Sequence, residues 1–409
     1  MKVLVLAELC NPNWASVPLV GWKHVKHLSH FTNLTLVTHE QNKVDIDGYS
    51  NKKFVVKYIK TGVFDRLYQY IVQRFFAGEF GSATLTFVKI PFYFVFEVLV
   101  AAYILRHFRK EGWQVIHRIT PVSPVIASPI AFLARIVGIP FVLGPINGGL
   151  PWPPGYEHAA KEKSLLSYVR DIYRYDPLIQ GTRFVSSYIL VGSQHTMREM
   201  AGFYKQRCIY YPENGIETES VIDLRSIPYS KDIIKAIFVG RLVPLKCPHI
   251  SILSSQRFIT AGQMTLDIFG DGPERQNLEG ILPHEGVTFH GWISSQKDLV
   301  NRLPEFDILI FPSIKEFGGG VVIEAMAKGV VPIVMDYGGP GEIVTDSSGF
   351  RIPIANESQT IKDIENLLEK IVNQPSMLAS YSKQSTKRIR DVYTWEAKAK
   401  FIADIYRKT

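Results

Sequence analysis

The stretch ILIFPSIKEFGGGVVIEAMAKG, residues 308–329, restricts the fold more than any other part of this 409-residue chain. Ile308 to Phe311 is a short, wholly apolar run stopped by Pro312 and Ser313, so a buried strand is expected there. Gly318, Gly319 and Gly320 follow as a loop without side chains, and the apolar residues after them predict a helix that contains Glu324. Strand, bare loop and helix in succession belong to an open α/β sheet, where ligands collect outside the carboxyl ends of the strands. Uncovered N–H groups at a helix N-terminus, with the helix dipole behind them, offer donors to an anion or a hydroxyl. Glu316 and Glu324 flank that place. Were the segment all helix, they would stand about 12 Å apart at ~1.5 Å per residue. That is wider than the roughly 5–9.5 Å of a glycosidase carboxylate pair. The two glutamates therefore read as separate clamps on one long polar ligand.

The rest of the chain repeats the strand–helix alternation. Val3–Ala7 reads as a buried strand, 8–19 as a loop, Gly21–His30 as a helix and Leu34–Thr38 as a second strand. The dinucleotide fingerprint G-x-G-x-x-G is missing after the first strand, which argues against a dehydrogenase. A further strand over 113–116 ends at His117, at the kind of strand terminus where chemistry gathers, although a lone histidine is more often structural. GPINGGLPWPPGY, residues 144–156, is dense enough in proline and glycine to predict an irregular, rigid loop. Tyr188–Ser193 reads as a strand and Gln194–Tyr204 as a helix. Four further strands are expected at Lys235–Val239, Leu266–Gly270, Val287–Gly291 and Val331–Met335. This organisation predicts an N-terminal domain over 1–215, a polar linker over 216–232, a C-terminal domain over 233–385 and a terminal helical segment over 386–409.

Several of these segments resemble the family 4 retaining glycosyltransferases. Glu316 and Glu324 stand in E-F-G-x-x-x-x-E-A-M-A-x-G, which is similar to that family's donor signature, and GGPGE (338–342) matches a downstream element. Gly240-Arg241-Leu242 with Lys246 resembles its G-R-L-x-x-x-K element, and GDGP (270–273) its G-x-G-P turn. The resemblance is strongest over 188–409. It implies a GT-B fold, two Rossmann-like doubly wound domains facing each other across a cleft, with the terminal helix crossing back to the first domain. It implies that Arg241 and Lys246 grip the donor diphosphate, that Glu316 with the Phe317, Gly318, Gly319 and Gly320 amides orients the sugar, and that Glu324 holds the ribose. Gly240 and Ile293 fall on the donor pocket, Gly21 on the loop that approaches the donor phosphate, and His117 near the sugar and acceptor. The family usually follows the lysine with glycine; here Cys247 follows, which puts the local loop shape in question. The implied donor is a UDP- or GDP-sugar and the acceptor a glycan, lipid-linked or small-molecule hydroxyl. No cofactor or metal is required, and no D-x-D pair lies in a plausible metal-binding loop.

A hydrophobic share of 46% with 21% charged residues is that of a globular chain. The net charge of +8 suits an anionic partner: nucleotide phosphates, nucleic acid or an anionic membrane. Cys10, Cys208 and Cys247 are scattered and odd in number, which fits a reducing, cytoplasmic setting. Residues 50–111 interleave basic residues such as Lys52, Lys53, Lys57 and Lys60 with many aromatics, a pattern of membrane interfaces and equally of helices packed in the domain. No nucleic-acid module accompanies it. The apolar window 87–105 carries Glu97, which is costly in a bilayer and speaks against a membrane span. Location on the inner face of a membrane is therefore the peripheral alternative to a freely cytoplasmic protein. A nucleotide-sugar epimerase, a GT-B phosphorylase and a two-domain ligand-binding protein are the competing readings. A phosphorylase would need a cofactor-lysine motif and a periplasmic binding protein a secretion signal; neither is recognised in the sequence.

Overall fold

The computed structural model describes residues 1–75, 82–153, 156, 175–222, 233–281 and 285–409, with 75 and 82–87 described by their backbone. The chain divides into two units. Met1–Gly149, Glu162–Glu213 and Ala399–Thr409 make the first, and Leu150–Lys161 with Asn214–Lys398 the second. Both are Rossmann-like.

In the first unit, β1 (Lys2–Ala7), β2 (Asn33–His39), β3 (Val55–Ile59), β4 (Val115–Thr120), β5 (Phe141–Ile146), β6 (Tyr188–Val191) and β7 (Cys208–Tyr210) form one parallel sheet. Their order is β3-β2-β1-β4-β5-β6-β7. Alternate residues of one strand serve two cores, which is why β1 is apolar from Val3 to Ala7. Leu4 and Leu6 pack with Tyr93, Phe96, Val100 and Ile104. Val3 and Val5 pack with Trp22, Val25 and Leu28, and with Ile402 and Tyr406 of the terminal helix Trp395–Tyr406. In the second unit, β8 (Ile234–Val239), β9 (Met264–Phe269), β10 (Val287–Gly291), β11 (Ile308–Phe311), β12 (Val331–Met335) and β13 (Phe350–Ile352) are again all parallel, in the order β10-β9-β8-β11-β12-β13. The winding reverses between β8 and β11, and the loops that follow those two strands open the crevice typical of such sheets.

Local chemistry explains where the elements depart from the sequence expectations. The first helix starts at Val17, with Pro18 in its opening turn where a missing N–H costs nothing. The helix expected over 194–204 is two short ones, Gln194–Arg198 and Gly202–Lys205. β4 runs on to Thr120, and β5 continues through Gly144, Pro145 and Ile146, where an irregular loop was expected. A proline is tolerated there because the β5–β6 register shifts between Leu143 and Ile146. β3, β7 and β13 are short or lie inside a charged segment, and periodicity does not reveal them. Of the expected linker, Ile216 pairs with Thr394 in an isolated bridge, and 223–232 lie outside the described residues.

Among the described residues, 50–111 hold β3 and two helices, Val63–Phe75 and Ser82–Glu111. From Val88 the second helix is long and apolar enough to cross a membrane. Its Glu97, however, is buried and tied down. It accepts hydrogen bonds from the Tyr93 hydroxyl, from Ser128 Oγ at 2.8 Å and from the Ile130 N–H at 3.1 Å. Burial pushes its pKa up. The opposite side of the helix exposes Val98, Leu99 and Leu105.

Candidate active site

The crevice of the second unit is built on glycine. Gly240 follows β8 and Gly270 follows β9, and a Cβ on Gly270 would lie 1.9 Å from the Gly240 carbonyl oxygen. One on Gly272 would lie 2.4 Å from the Leu242 carbonyl. Only bare backbones approach so closely. The approach lets Gly240 N–H donate to the Phe269 carbonyl at 2.9 Å, Gly270 N–H to Gly291 at 2.8 Å and Leu242 N–H to Asp271 at 2.9 Å. Three strand-end loops are thereby joined around a cavity of about 440 Å³. Gly240, Arg241, Lys246, Ile293, Glu316 and Gly320 line it, with Phe269, Trp292, Leu299 and Phe311 as apolar wall. Residues up to 82 positions apart in sequence meet here (Val239 to Val321).

The charges in this cavity are uneven. Lys246 donates to the Glu316 carboxylate and sits 5.1 Å from the centre of the Phe311 ring. Arg241 is exposed, and among the described residues its guanidinium has no hydrogen-bond or ion-pair partner. Cys247, at the position where the related family usually has glycine, adopts a left-handed backbone with φ 48°. The loop thus keeps a glycine-like turn in spite of the cysteine, at a cost of about 1–2 kcal/mol. The thiol is buried and donates weakly to the Pro244 carbonyl at 3.2 Å.

The helix Gly320–Ala327 starts at the cavity. Of Phe317, Gly318, Gly319 and Gly320, the last lines the cavity; Gly319 turns the chain at φ 53°, where a Cβ would strike Ile343 at 2.6 Å. Glu324 lies one turn on from Gly320, on the same helix side. Burial pushes its carboxyl up to about 7, opposed by a hydrogen bond donated by the Gln296 side chain. Gln296 was not singled out by sequence. It opens the helix Gln296–Arg302 behind the Ser295 cap, and nothing in its neighbours marks it.

His117 and Gly21 are both taken up by packing within the first unit. His117 is fully buried, and its Nε2–H donates to the Gly144 carbonyl at 2.6 Å while Nδ1 accepts from the Tyr406 hydroxyl at 2.5 Å. Burial lowers its pKa to about 4, so it is neutral, and it fastens the terminal helix to β4 instead of facing a ligand. Gly21 lies inside the helix Val17–Leu28, past the turn whose N–H groups are uncovered. A Cβ there would meet the Leu9 carbonyl at 2.4 Å, so glycine serves close packing.

Residues 224–388 match the family model described as glycosyl transferases group 1. They belong to that family. Beyond the group 1 match, 113 residues are 34% identical to Sucrose synthase 5 of Arabidopsis thaliana, covering 26% of this chain and 14% of that protein. Another 187 are 28% identical to a GDP-mannose-dependent alpha-mannosyltransferase of Mycobacterium tuberculosis, covering 46% of each. The chain thus spans less than half of these curated relatives. Among solved structures, HepE of Anabaena in complex with UDP aligns over 100% of both chains with a TM-score of 0.63 at 16% identity. The fold is GT-B.

Proposed function

We propose that the protein is a retaining, metal-independent glycosyltransferase of family 4. It moves a sugar from a UDP- or GDP-sugar to a hydroxyl of a glycan or lipid-linked acceptor, in cell-surface polysaccharide or glycolipid synthesis. The observation that carries this reading is the convergence of Arg241, Lys246 and Glu316 on one cavity at the winding reversal of the second sheet. Arg241 and Lys246 balance the charge that grows on the departing diphosphate. Glu316 and the Gly320 amide orient the sugar, Trp292 and Ile293 face the base, and Glu324 accepts from the ribose hydroxyls. Retention brings the acceptor oxygen to the face the phosphate leaves, so the leaving phosphate oxygen takes the acceptor proton. HepE of Anabaena, similar in fold, has been solved with UDP and with UDP-glucose, which favours a nucleotide-sugar donor.

The same reading holds the enzyme at the cytoplasmic face of an anionic membrane. Its support is the exposure of Val63, Phe64, Leu67 and Tyr70 beside Arg66 on one helix, and of Val98 and Leu105 on the next. The experiment is transfer from a set of UDP- and GDP-sugars with EDTA present, the product's anomeric configuration being read by NMR. Transfer with retention is expected. An inverted product refutes the retaining mechanism, loss of transfer in EDTA refutes metal independence, and absence of binding to every nucleotide sugar refutes the reading itself.

A further inference from the structure

Residues 150–156 come from the first half of the chain, yet they belong to the second unit. Of them, 150–153 and 156 are described. We propose that this segment braces the loop that carries Glu316, and that Leu150, Pro151 and Trp152 are positioning residues for the sugar that Glu316 orients. The bracing stands on contacts within the second unit; its consequence for a sugar rests on the function proposed above.

The sequence makes the segment stiff. Leu150 and Trp152 each precede a proline, which disfavours helical backbone, and the rings of Pro151 and Pro153 fix φ. Little backbone freedom is left to lose when such a segment docks. Its two ends are anchored. Leu150 is buried at one, and at the other Tyr156 is buried in the second unit's core with its hydroxyl 3.0 Å from Thr360 Oγ1.

The loop between β11 and the helix Gly320–Ala327 takes its support from outside itself. Its start is fastened to the loop after β8, where the Ile314 N–H donates to the Leu245 carbonyl at 3.1 Å. Further on, the Glu316 carbonyl accepts from the Gly339 N–H at 2.9 Å. The segment 150–156 packs on that same place. A Cβ on Gly338 would lie 2.4 Å from the Glu316 carbonyl oxygen and 2.9 Å from Leu150 Cδ2, so glycine lets the three close up. Tyr337, one residue earlier, donates its hydroxyl to the Pro151 carbonyl at 2.9 Å. Trp152 holds the residue before Glu316: the Lys315 ammonium stands 4.4 Å from the centre of a ring of its indole, within cation–π reach. Both the chain entering Glu316 and the residues bonded to its carbonyl are thus fixed by one rigid segment. A displacement of about 1 Å in a positioning group can cost about a hundredfold in rate, so slack in this loop has a measurable effect.

The test is amide hydrogen exchange in the ligand-free full chain, read on peptides over 311–319 and 336–342. In Trp152→Ala the first peptide should exchange about tenfold faster or more, with β8 and β9 at native rates and Tm near native. Trp152→Phe keeps a ring beside Lys315 and should restore the native rate. Tyr337→Phe removes the Pro151 hydrogen bond without emptying space and should quicken 336–342. With the best donor among the UDP- and GDP-sugars, turnover of Trp152→Ala should fall about tenfold or more, while affinity for the nucleoside diphosphate alone is unchanged. Exchange unmoved in both Trp152→Ala and Tyr337→Phe overturns the brace, as does an even quickening throughout the second unit with a fallen Tm. Faster local exchange with native turnover overturns the positioning role. Faster local exchange in variants of a protein that binds no nucleotide sugar leaves the brace standing and sinks the function proposed above.

Discussion

Affinity for a nucleotide sugar should rise with pH around neutrality, because of Glu324. Burial raises its carboxyl to about 7. At that value about one carboxyl in ten is ionised at pH 6 and about nine in ten at pH 8. Ribose hydroxyls donate best to the ionised form, so binding draws on that fraction. The dissociation constant should therefore fall about tenfold between pH 6 and pH 8, or ~1.4 kcal/mol. UDP-glucose is the ligand of choice, since its phosphodiesters do not titrate in that window. Calorimetry in buffers of different ionisation enthalpy should show proton release near pH 7. Glu324→Gln should weaken binding by about 1.5–3 kcal/mol and level the profile. A flat profile in the native protein, or a slope that survives in Glu324→Gln, would refute the ribose assignment. Stability should move the other way. The folded protein binds the Glu324 proton more tightly than the ordinary 4.5, so it holds more protons between pH 4.5 and about 7. Unfolding free energy should thus decline as pH rises through that window, by about 3 kcal/mol if the group titrates alone.

Arg241→Ala and Lys246→Ala should each lower turnover about 100-fold or more, since both face charge that grows in the transition state; a rise in KM alone would mean uniform binding. Gly270→Ala should cost about 3 kcal/mol or more in urea unfolding, because its Cβ meets the Gly240 backbone at 1.9 Å and no side chain can yield. Gly320→Ala meets Asn214 Nδ2 only at 3.8 Å, so its Tm should stay near native while donor affinity falls; equal loss of both would deny the loop a binding role. Liposome co-sedimentation should show binding to anionic vesicles that weakens with salt and with charge reversal at Lys52, Lys53, Lys57 and Lys60. Protein left in the supernatant at low salt would reduce residues 50–111 to a packed helical segment.

What the sequence by itself determined is local. The apolar runs that became β1, β8, β11 and β12 were legible because strands buried on both faces are nearly continuous in apolar residues, broken here only near the start of β1 and β8 by Lys2 and Lys235. The Gly-rich turns at 240, 270 and 318–320 were legible because only glycine serves such loops. Those two signals pointed to open α/β sheets; the two-unit arrangement and the donor-side group of residues came from the family resemblance of the motifs around Arg241–Lys246 and Glu316–Glu324. Short strands such as β7 and β13 carry too few residues for any period, and β5 keeps Pro145 only because its register to β6 slips. Tertiary structure alone decided which polar residues line a cavity and which are taken up by packing. His117 looks catalytic at the end of an apolar run, yet Tyr406, 289 residues away, and Gly144 take both its nitrogens. Gly21 looks like a phosphate loop and is a packing glycine against Leu9. Gln296 meets Glu324, and Lys246 meets Glu316, across 28 and 70 positions. Burial and hydrogen-bond partnership belong to the packed chain, so a side chain's role follows from neighbours that its own segment does not contain.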